Sequence, residues 1–468
     1  MTTTTHAEGR TASPERAAPE LRLVGHDLMV PLVTGGARRY ANLDHAASAP
    51  CLVPVKEAVD ALLPWYSSVH RGAGFPSQVA TAAYEGAREA VHGFVGARPD
   101  DTVVFTRHTT EAINVLATAL PEGAGVIVFA AEHHANLLPW QRGRVTVLPV
   151  PASPEDVLDL LDDALAAARG AVGLVTVTGA SNVTGEIWPY PEIATLAHRH
   201  GARVLLDAAQ LAQHRPIDMA ATGIDYLALS GHKLYAPFGA GALVGRPDWL
   251  ASREPMLAGG GAVRYVTVDS VLWAGPPDSH EAGSPNVVGA VALGVACRTL
   301  QAAGMAAIAA AEHELIGDTA ERLAAIPGVR PLRMWRPRCP RIGVLPLTLE
   351  GMPYAQLAAA LSAEYGIGVR HGCFCAHPLV AHLLGVDAAT DRRIRQTLLR
   401  SGTARLPGAV RASVGLATIA DDLDRLVAAL TVLASDGPRW TYRSSPDGTD
   451  CWPDPDPRPW PRLPVDLA

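Results

Sequence analysis

The chain has 468 residues, 48% of them hydrophobic, and a formal net charge of −7. This length can bury a large core and accommodate two or three domains. Because the charge balance is acidic and no basic block occurs, the composition gives no indication of binding to nucleic acid or to an acidic membrane surface.

Neither a membrane span nor a secretory signal is predicted. The longest apolar runs, such as 287–296, reach about half of the roughly 20 residues that cross a bilayer. The first residues, MTTTTHAEGR, lack the apolar core that a secretory signal requires. We therefore expect a cytoplasmic protein, in which the six cysteines are free thiols rather than a disulfide framework.

The first part of the chain has the pattern of an α/β domain. Residues 1–25 are polar and aperiodic, which predicts a disordered N-terminal arm, and 26–300 are assigned to a large domain. In that domain short apolar strands alternate with amphipathic helices, which predicts a mainly parallel sheet wrapped by helices. The predicted strands are 103–106, 126–130, 145–150, 172–178, 204–208, 226–230 and 242–245, and the helices are 110–120, 154–168 and 191–200.

A smaller α+β domain is predicted over 301–435, after a helical stretch at about 288–326. Its predicted elements are strands 342–349 and 412–415 and helices 354–366 and 421–434. The last residues, 436–468, contain eight prolines and are predicted to form an extended tail without regular elements.

Lys233 stands out because the only other lysine in the chain is Lys56. Arginine keeps its proton, whereas a lysine amine can lose it and attack a carbonyl carbon, so Lys233 is a candidate for imine formation. The alternative is an ordinary surface charge. Asp207 ends the predicted strand VLLDA, where its carboxylate is placed to pair with a protonated pyridine nitrogen or to cap a helix. A lysine and an aspartate at one sheet edge are the two protein groups that pyridoxal phosphate requires.

A phosphate site is predicted where the strand VVFT gives way to the helix of HTTEAIN. Thr109 and Thr110 offer amides and hydroxyls at the positive end of the helix, and Ser230 and His232 of SGHKLY lie at the same sheet edge. The alternative, in which Thr109 or Thr110 caps the helix, is compatible with anion binding because the same amides serve both roles.

Two further strand ends supply polar side chains. His133 of EHHANLLPW is placed to stack on a flat ring and exchange protons. His133 and His134 could instead be metal ligands, but no carboxylate or thiol stands at a recognised spacing from them. Asn182 of SNVTGEIWP offers a donor and an acceptor at the edge of a ring, with an Asx-turn as the structural alternative. Gln210, one turn after Asp207, lies at the same edge.

The smaller domain contributes the segment VRHGCFCAHP. Arg370 is placed to bind a carboxylate, and Cys375 is placed on a short loop where a thiolate can act as a nucleophile. Two alternatives remain open: a metal site formed by Cys373, Cys375 and His377, which lacks a fourth ligand, and simple packing of the cysteines.

With these residues the chain resembles fold-type I pyridoxal-phosphate enzymes of the class V aminotransferase superfamily. It is most similar to the group II cysteine desulfurases and selenocysteine lyases. The matching stretches are LDHAASA, VHRG, HTTEAIN, EHHANLLPW, SNVTGEI, LLDAAQ, SGHKLYAPFGAG, HEAGSPN and VRHGCFCAHP. They follow the family order from about residue 42 to 435.

The resemblance implies a role for each matching residue. Lys233 would form a Schiff base with pyridoxal phosphate, Asp207 would pair with its ring nitrogen, and Cys375 would accept sulfur from the substrate. The other implied contacts are His133 on the ring, Gln210 and Asn182 near its phenolic oxygen, Thr110, Ser230, His232 and the neighbouring subunit's Ser284 on the phosphate, and Arg370 on the substrate carboxylate. The family is dimeric, and a sulfur-acceptor protein is a further implied partner.

The chain departs from the family pattern at several positions. His108 and Ala236 replace glycines, Cys373 stands where another residue is usual, and 391–408 looks like an arginine-rich insertion. The expected function is removal of sulfur from L-cysteine through a Cys375 persulfide, giving alanine. The alternatives are a class V aminotransferase, C–S lyase or epimerase without persulfide chemistry, and a silent scaffold that binds a sulfur-carrier protein.

Overall fold

The computed structural model describes residues 21–336 and 339–461. Its strands are β1 (Met29–Pro31), β2 (Ala37–Arg39), β3 (Ala41–Asn42), β4 (Thr102–Thr106), β5 (Gly125–Phe129), β6 (Val145–Leu148), β7 (Val172–Thr178), β8 (Arg203–Asp207), β9 (Tyr226–Ser230), β10 (Gly241–Gly245), β11 (Val263–Val266), β12 (Val271–Trp273), β13 (Val329–Pro331), β14 (Val344–Leu349), β15 (Ile367–Gly368), β16 (Arg370–Gly372), β17 (Ala409–Ser413), β18 (Tyr442–Ser444) and β19 (Cys451–Pro453). The helices are α1 (Val53–Leu62), α2 (Phe75–Phe94), α3 (Thr109–Ala119), α4 (His134–Leu137), α5 (Pro154–Ala168), α6 (Tyr190–Arg199), α7 (Met219–Thr222), α8 (Pro247–Ala251), α9 (Val287–Ala303), α10 (Met305–Ile316), α11 (Thr319–Ala324), α12 (Tyr354–Tyr365), α13 (His377–Leu383), α14 (Ala388–Ser401) and α15 (Ala420–Asp436).

The central sheet has seven strands in the order β4-β10-β9-β8-β7-β5-β6. All neighbours are parallel except β10, which runs antiparallel to both β4 and β9. The strands β5, β9 and β10 are buried along their whole length, as expected for a sheet covered by helices on both faces. The mainly parallel sheet predicted from the sequence is therefore present, with each predicted strand displaced by two residues at most.

A second sheet, β13-β14-β17-β16, carries the smaller hydrophobic core together with α12 and α15. The helical stretch expected at about 288–326 is divided into α9, α10 and α11 by breaks at Gly304 and Gly317, both with positive φ. The N-terminal segment also contributes here: β3 pairs with β15, and Ala41 and Leu43 belong to the second core. The domain boundaries at 26, 300 and 435 remain predictions. The second sheet and its core are called the smaller unit below, and the pairing of β3 with β15 places part of the N-terminal segment on it.

The predicted disordered arm lies outside the described residues for 1–20, but its last residues are ordered. Leu23 is buried and forms a bridge with Leu52, and the Val24 amide donates to the Cys51 carbonyl oxygen at 2.8 Å. Disorder is therefore wrong for 21–25. Among the described helices, none is individually long and apolar enough to cross a membrane. Only the pair formed by α9 and the α10–α11 segment, which are bent by 75° relative to each other, has the length and composition of a possible span.

The proline-rich tail is not devoid of regular structure, as the sequence led us to expect. β18 and β19 form an antiparallel hairpin that is anchored to the smaller unit by the buried carboxylate of Glu364. This carboxylate accepts hydrogen bonds from the Arg439 amide at 3.0 Å, the Trp440 amide at 3.2 Å and the Tyr442 hydroxyl at 2.9 Å. Prolines are tolerated here because a two-stranded hairpin leaves edge positions that need no amide donor.

The Glu364→Ala variant is expected to release the tail hairpin. It leaves three donors without their acceptor, which costs about 2–4 kcal/mol of local stability. Hydrogen exchange should show loss of protection at the amides of Arg439 and Trp440, while the exposed Glu350→Ala serves as the matched control. Unchanged protection in Glu364→Ala would show that this carboxylate does not hold the tail.

Candidate active site

A cavity of about 430 Å³ opens at the carboxyl ends of the central strands and is closed on the other side by the smaller unit. Side chains of β8, β9 and α3 face residues of β16 and β17 across it. They also face the cysteine loop, which is the segment 373–376 between β16 and α13. The predicted site residues that line it are Thr109, Thr110, His133, Asn182, Asp207, Gln210, Ser230, His232, Lys233, Arg370 and Cys375. Ser284, the remaining predicted residue, is exposed and lies outside the cavity lining of this chain.

Asp207 ends β8, and Lys233 follows the end of β9, its parallel neighbour, so both lie at the same edge of the sheet. Burial lowers the pKa of Lys233 to about 8, although the nearby Asp207 charge acts in the opposite direction. Burial also raises the pKa of Asp207, while its hydrogen bond from the Ala209 amide at 2.9 Å favours the carboxylate. The amine of Lys233 therefore loses its proton far more readily than an exposed lysine does.

The N-terminus of α3, which is the positive end of the helix dipole, lines one end of the cavity. His108, rather than Thr109 or Thr110, is the N-cap residue, and its Nδ1 accepts from the Glu111 amide at 3.2 Å. The Thr109 amide donates to Ser230 Oγ at 2.8 Å, which ties the helix start to the end of β9. The threonine-capping alternative is thus wrong, and the helix N-terminus opens into the cavity with Thr110 exposed.

Two histidines face the cavity as neutral rings. Burial, and then the charge of Lys233, lowers the pKa of His133 to about 3 and that of His232 to about 4. His133 Nδ1 accepts from the Ala135 amide at 3.0 Å, so the ring proton resides on Nε2. A neutral ring suits stacking on an aromatic cofactor better than proton exchange near pH 7.

The side-chain amides of Asn182 and Gln210 are already engaged by the backbone. Asn182 Nδ2 donates to the Phe374 carbonyl oxygen at 2.7 Å, and Gln210 Nε2 donates to the Ala46 carbonyl oxygen at 2.8 Å. Each amide has a second N–H for other contacts, and the Asn182 oxygen is also available, whereas Gln210 Oε1 already accepts from Gln213 Nε2 at 3.4 Å. Asn182 therefore connects the central sheet to the cysteine loop, a role that the Asx-turn alternative does not include.

The cysteine loop holds Cys375 in a strained conformation. Phe374 and Cys375 both have φ of 54°, a region that non-glycine residues seldom adopt. The loop is held by the His134 amide, which donates to the Cys375 carbonyl oxygen at 2.8 Å, and by His377, whose ring stacks on His134 with centroids 5.0 Å apart. Cys375 is exposed, whereas Cys373 is half-buried. Within the described residues no cluster of three potential ligands forms a metal site.

Arg411 is a site residue that the sequence reasoning missed. It lies in the middle of β17, is 3% exposed, and donates to the Asn182 carbonyl oxygen at 2.7 Å and to Asp44 Oδ1 at 3.4 Å. Its guanidinium lies 5.0 Å from the centre of the Phe374 ring, and its Nε has no hydrogen-bond partner among the described residues. Burial lowers the pKa of Arg411 to about 10, although the charge of Asp44 acts in the opposite direction. The positive charge of Arg411 is therefore only partly balanced by Asp44. The arginine within the otherwise apolar strand AVRAS was the available signal.

Glu132 was also overlooked, since it directly precedes the more conspicuous His133. It is fully buried, and burial raises its pKa to about 8. Its oxygens accept from the Thr178 amide and from Asn136 Nδ2, both at 2.9 Å. Glu132 therefore fixes the floor of the cavity, where Thr178 lies, rather than facing a ligand.

A mainly parallel seven-stranded sheet beside a smaller four-stranded one, with a lysine and an aspartate at its carboxyl edge, defines an α/β enzyme of fold type I. The chain belongs to the aminotransferase class-V family, whose model matches residues 41–426. Both the predicted superfamily and the predicted fold class are confirmed.

Named relatives and solved structures are similar to the chain over most of its length. The cysteine desulfurase of Dickeya dadantii is 38% identical over 83% of this chain and 91% of that protein. A solved structure of the cysteine desulfurase CsdA from Escherichia coli, in an S-sulfonic acid form, has a TM-score of 0.70 and 34% identity, covering 84% of this chain and 94% of its own. An apo cysteine desulfurase from Thermococcus onnurineus NA1 has a TM-score of 0.73 and 30% identity, covering 84% and 94%.

Some relatives are considerably longer than the matched region. A protein from Mycolicibacterium paratuberculosis, named probable cysteine desulfurase, is 41% identical over 69% of this chain but only 47% of its own length. A relative from Mycobacterium leprae with the same type of name is matched over 53% of its length. The chain thus spans about half of these two mycobacterial relatives.

Proposed function

We propose that the chain is a pyridoxal-phosphate-dependent cysteine desulfurase, which takes sulfur from L-cysteine as a persulfide on Cys375 and leaves alanine. The observation that carries this proposal is the placement of Lys233, Asp207 and Cys375 on the walls of one cavity. The names of the relatives support the same activity.

The residues present fit pyridoxal phosphate. Lys233, with its lowered pKa, is the amine suited to bond the cofactor's aldehyde carbon, and Asp207 is the buried carboxylate for its ring nitrogen. The neutral His133 ring would cover its face, and Ser230 and the start of α3 would hold its phosphate. When bound, the cofactor supplies an electron sink for negative charge at the substrate α-carbon.

The remaining chemistry belongs to the chain itself. Lys233 would remove the α-proton, since its lowered pKa of about 8 leaves a substantial fraction of the amine neutral near that pH. The Cys375 thiolate would attack the substrate sulfur: a new S–S bond forms, the C–S bond breaks, and its electron pair stays on the substrate. The β-carbon then takes up a proton, and Lys233 returns a proton to the α-carbon, which gives alanine. The exposed position of Cys375 on the strained loop allows both attack and later release of the sulfur.

The proposed reaction is tested by product analysis with L-cysteine and dithiothreitol. Alanine and sulfide in equal amounts are expected. Pyruvate and ammonia would indicate a C–S lyase without a persulfide, and product formation only with an added keto acid would indicate a transaminase. Either of these outcomes would contradict the proposal.

Arg411, together with Arg370, is proposed to bind the substrate carboxylate. Arg411→Lys keeps a charge but loses the planar fork, at an expected cost of about 2–3 kcal/mol, or roughly 30- to 150-fold in kcat/KM, mainly through KM. Arg370→Lys, at an exposed position, should have a smaller effect. Steady-state kinetics check this, with the melting temperature as a control because Arg411 also holds Asn182. An unchanged KM in Arg411→Lys would remove Arg411 from the substrate site.

The pKa of about 8 for Lys233 predicts how the cofactor-free protein takes up pyridoxal phosphate. Only the neutral amine reacts, so the uptake rate should fall about tenfold for each pH unit below 8 and level off above it. Stopped-flow absorbance gives the rate, and the same reaction with free aminocaproate corrects for titration of the reagent. A rate that still climbs toward the ordinary lysine value of 10.5 would show that Lys233 is not perturbed.

A homodimer completes the proposal. Ser284 lies outside the cavity of its own chain. This position is the one expected of a residue that contacts the phosphate in the partner subunit's site. The β11–β12 hairpin exposes Tyr265 by 67% and Val268 by 101%, an apolar surface suited to a subunit interface. A sulfur-acceptor protein and a cytoplasmic location remain predictions.

A further inference from the structure

Helix α14 projects from the smaller unit and packs closely against no other element in the described ranges 21–336 and 339–461. No residue of α14 is buried, and only Thr390 and Ile394 are half-buried. A helix of this length is marginal in water when it stands alone and normally owes its stability to packing. Its exposed surface is therefore a candidate for an intermolecular contact.

The exposed surface of α14 is strongly basic. The helix carries four arginines against the single acid Asp391, a local charge of +3 in a chain of net charge −7. In the part of the chain that the structure describes, none of these arginines forms a salt bridge. Arg393 donates to Thr390 Oγ1 at 2.7 Å and interacts electrostatically with Asp387, the N-cap residue of the helix. The arginines are Arg392, Arg393, Arg395 and Arg400. Their guanidinium groups are left available to carboxylates of another molecule.

Both ends of the segment that contains α14 lie beside the cysteine loop. On one side, α13 begins two residues after Cys375 and leads directly into α14. On the other side the chain returns to Gly408, where an added Cβ would lie 3.0 Å from the Cα of Gly372, and the Tyr354 hydroxyl donates to the Leu406 carbonyl oxygen at 3.3 Å. The segment that contains α14 therefore leaves and rejoins the smaller unit next to the cysteine loop.

The composition of the surface favours a protein over a nucleic acid. Leu399 is 78% exposed and Leu398 37%, and Leu399 lies one turn from Arg395. Mixed leucine and arginine match a protein surface with carboxylates around an apolar centre.

We propose that α14 is a docking surface for an acidic protein, which it holds beside the cysteine loop so that a thiol of that protein can take sulfur from Cys375. The transfer step rests on the proposed desulfurase function. In it, the acceptor thiolate attacks the outer sulfur of the Cys375 persulfide, a new S–S bond forms, and the Cys375 thiolate leaves. No further oxidant or reductant is needed.

The test uses the full-length holoenzyme and a fluorescent polyglutamate peptide that carries one cysteine and one leucine pair. The triple variant Arg392→Gln, Arg395→Gln, Arg400→Gln is expected to weaken peptide binding by about tenfold at physiological salt. A matched variant neutralises three exposed arginines elsewhere (Arg142→Gln, Arg169→Gln, Arg199→Gln) and should bind as the wild type does. Turnover with dithiothreitol should be unchanged in both.

Peptide binding and turnover with dithiothreitol are measured separately, so that failure of the docking site is distinguishable from failure of the proposed function. Anisotropy reports binding and needs no catalysis, so Cys375→Ser should still bind the peptide. Equal weakening in both triple variants, or tighter binding of single-stranded RNA than of the peptide through the same arginines, would overturn the proposal. So would a change of subunit stoichiometry in the α14 variant, which would show that α14 packs against a second copy of the chain.

Discussion

Replacing Lys233 by alanine is expected to reduce turnover of L-cysteine by at least about 10⁴-fold. The loss is large because one amine is proposed to serve twice, as the covalent anchor of the cofactor and as the base for the α-proton. Its burial and lowered pKa prepare it for both tasks. The visible absorbance band of the bound cofactor should also be lost or shifted, which separates this variant from one that merely misfolds.

The chain provides its own control for this experiment. Lys56, the only other lysine, lies exposed on α1 and pairs with Asp60 one turn away. Lys56→Ala should keep both the absorbance band and the turnover, because an exposed ion pair contributes little to stability. Full turnover in Lys233→Ala would exclude this residue as the catalytic amine.

Replacing Cys375 by serine is expected to lower sulfide release by about 10²- to 10⁴-fold while cofactor binding is retained. Serine keeps the size and position of the side chain, but its hydroxyl is a far weaker nucleophile toward sulfur. The spectral change on addition of L-cysteine should persist, because the substrate still reaches Lys233 and Asp207. This combination distinguishes loss of the sulfur acceptor from loss of the site.

Cys373→Ser is the matched control, since Cys373 lies two residues away on the same loop and is half-buried. Sulfide release near the wild-type rate is expected for it. Undiminished release by Cys375→Ser would contradict the persulfide mechanism and leave the cofactor assignment intact. A loss in both variants would instead indicate that the two thiols act together.

The central sheet was predictable because its strands are short apolar runs separated by helices with a clear apolar face. Strands 172–178 and 226–230 agree with β7 and β9 residue for residue. The tail was not predictable, because its hairpin depends on Glu364, a residue distant in sequence whose carboxylate collects the tail's donors. Counting prolines gives no information about such an anchor.

The candidate site was predictable where chemistry-bearing residues follow strands, as Asp207 and His133 do. Arg411 was missed because it lies within a strand, where an arginine breaks the apolar pattern without resembling a motif. The N-cap role of His108 was missed for a related reason: the threonines beside it are the more usual caps, and only the backbone geometry shows which residue precedes the first helical turn.

The proposed activity is tested most directly by the mass of the protein after incubation with L-cysteine in the absence of a reducing thiol. A gain of the mass of one sulfur atom is expected, located in the peptide that contains Cys375, together with one alanine released per chain. The gain should disappear when dithiothreitol is added and should not occur in Cys375→Ser. Release of alanine without added sulfur on Cys375 would contradict the proposed persulfide mechanism.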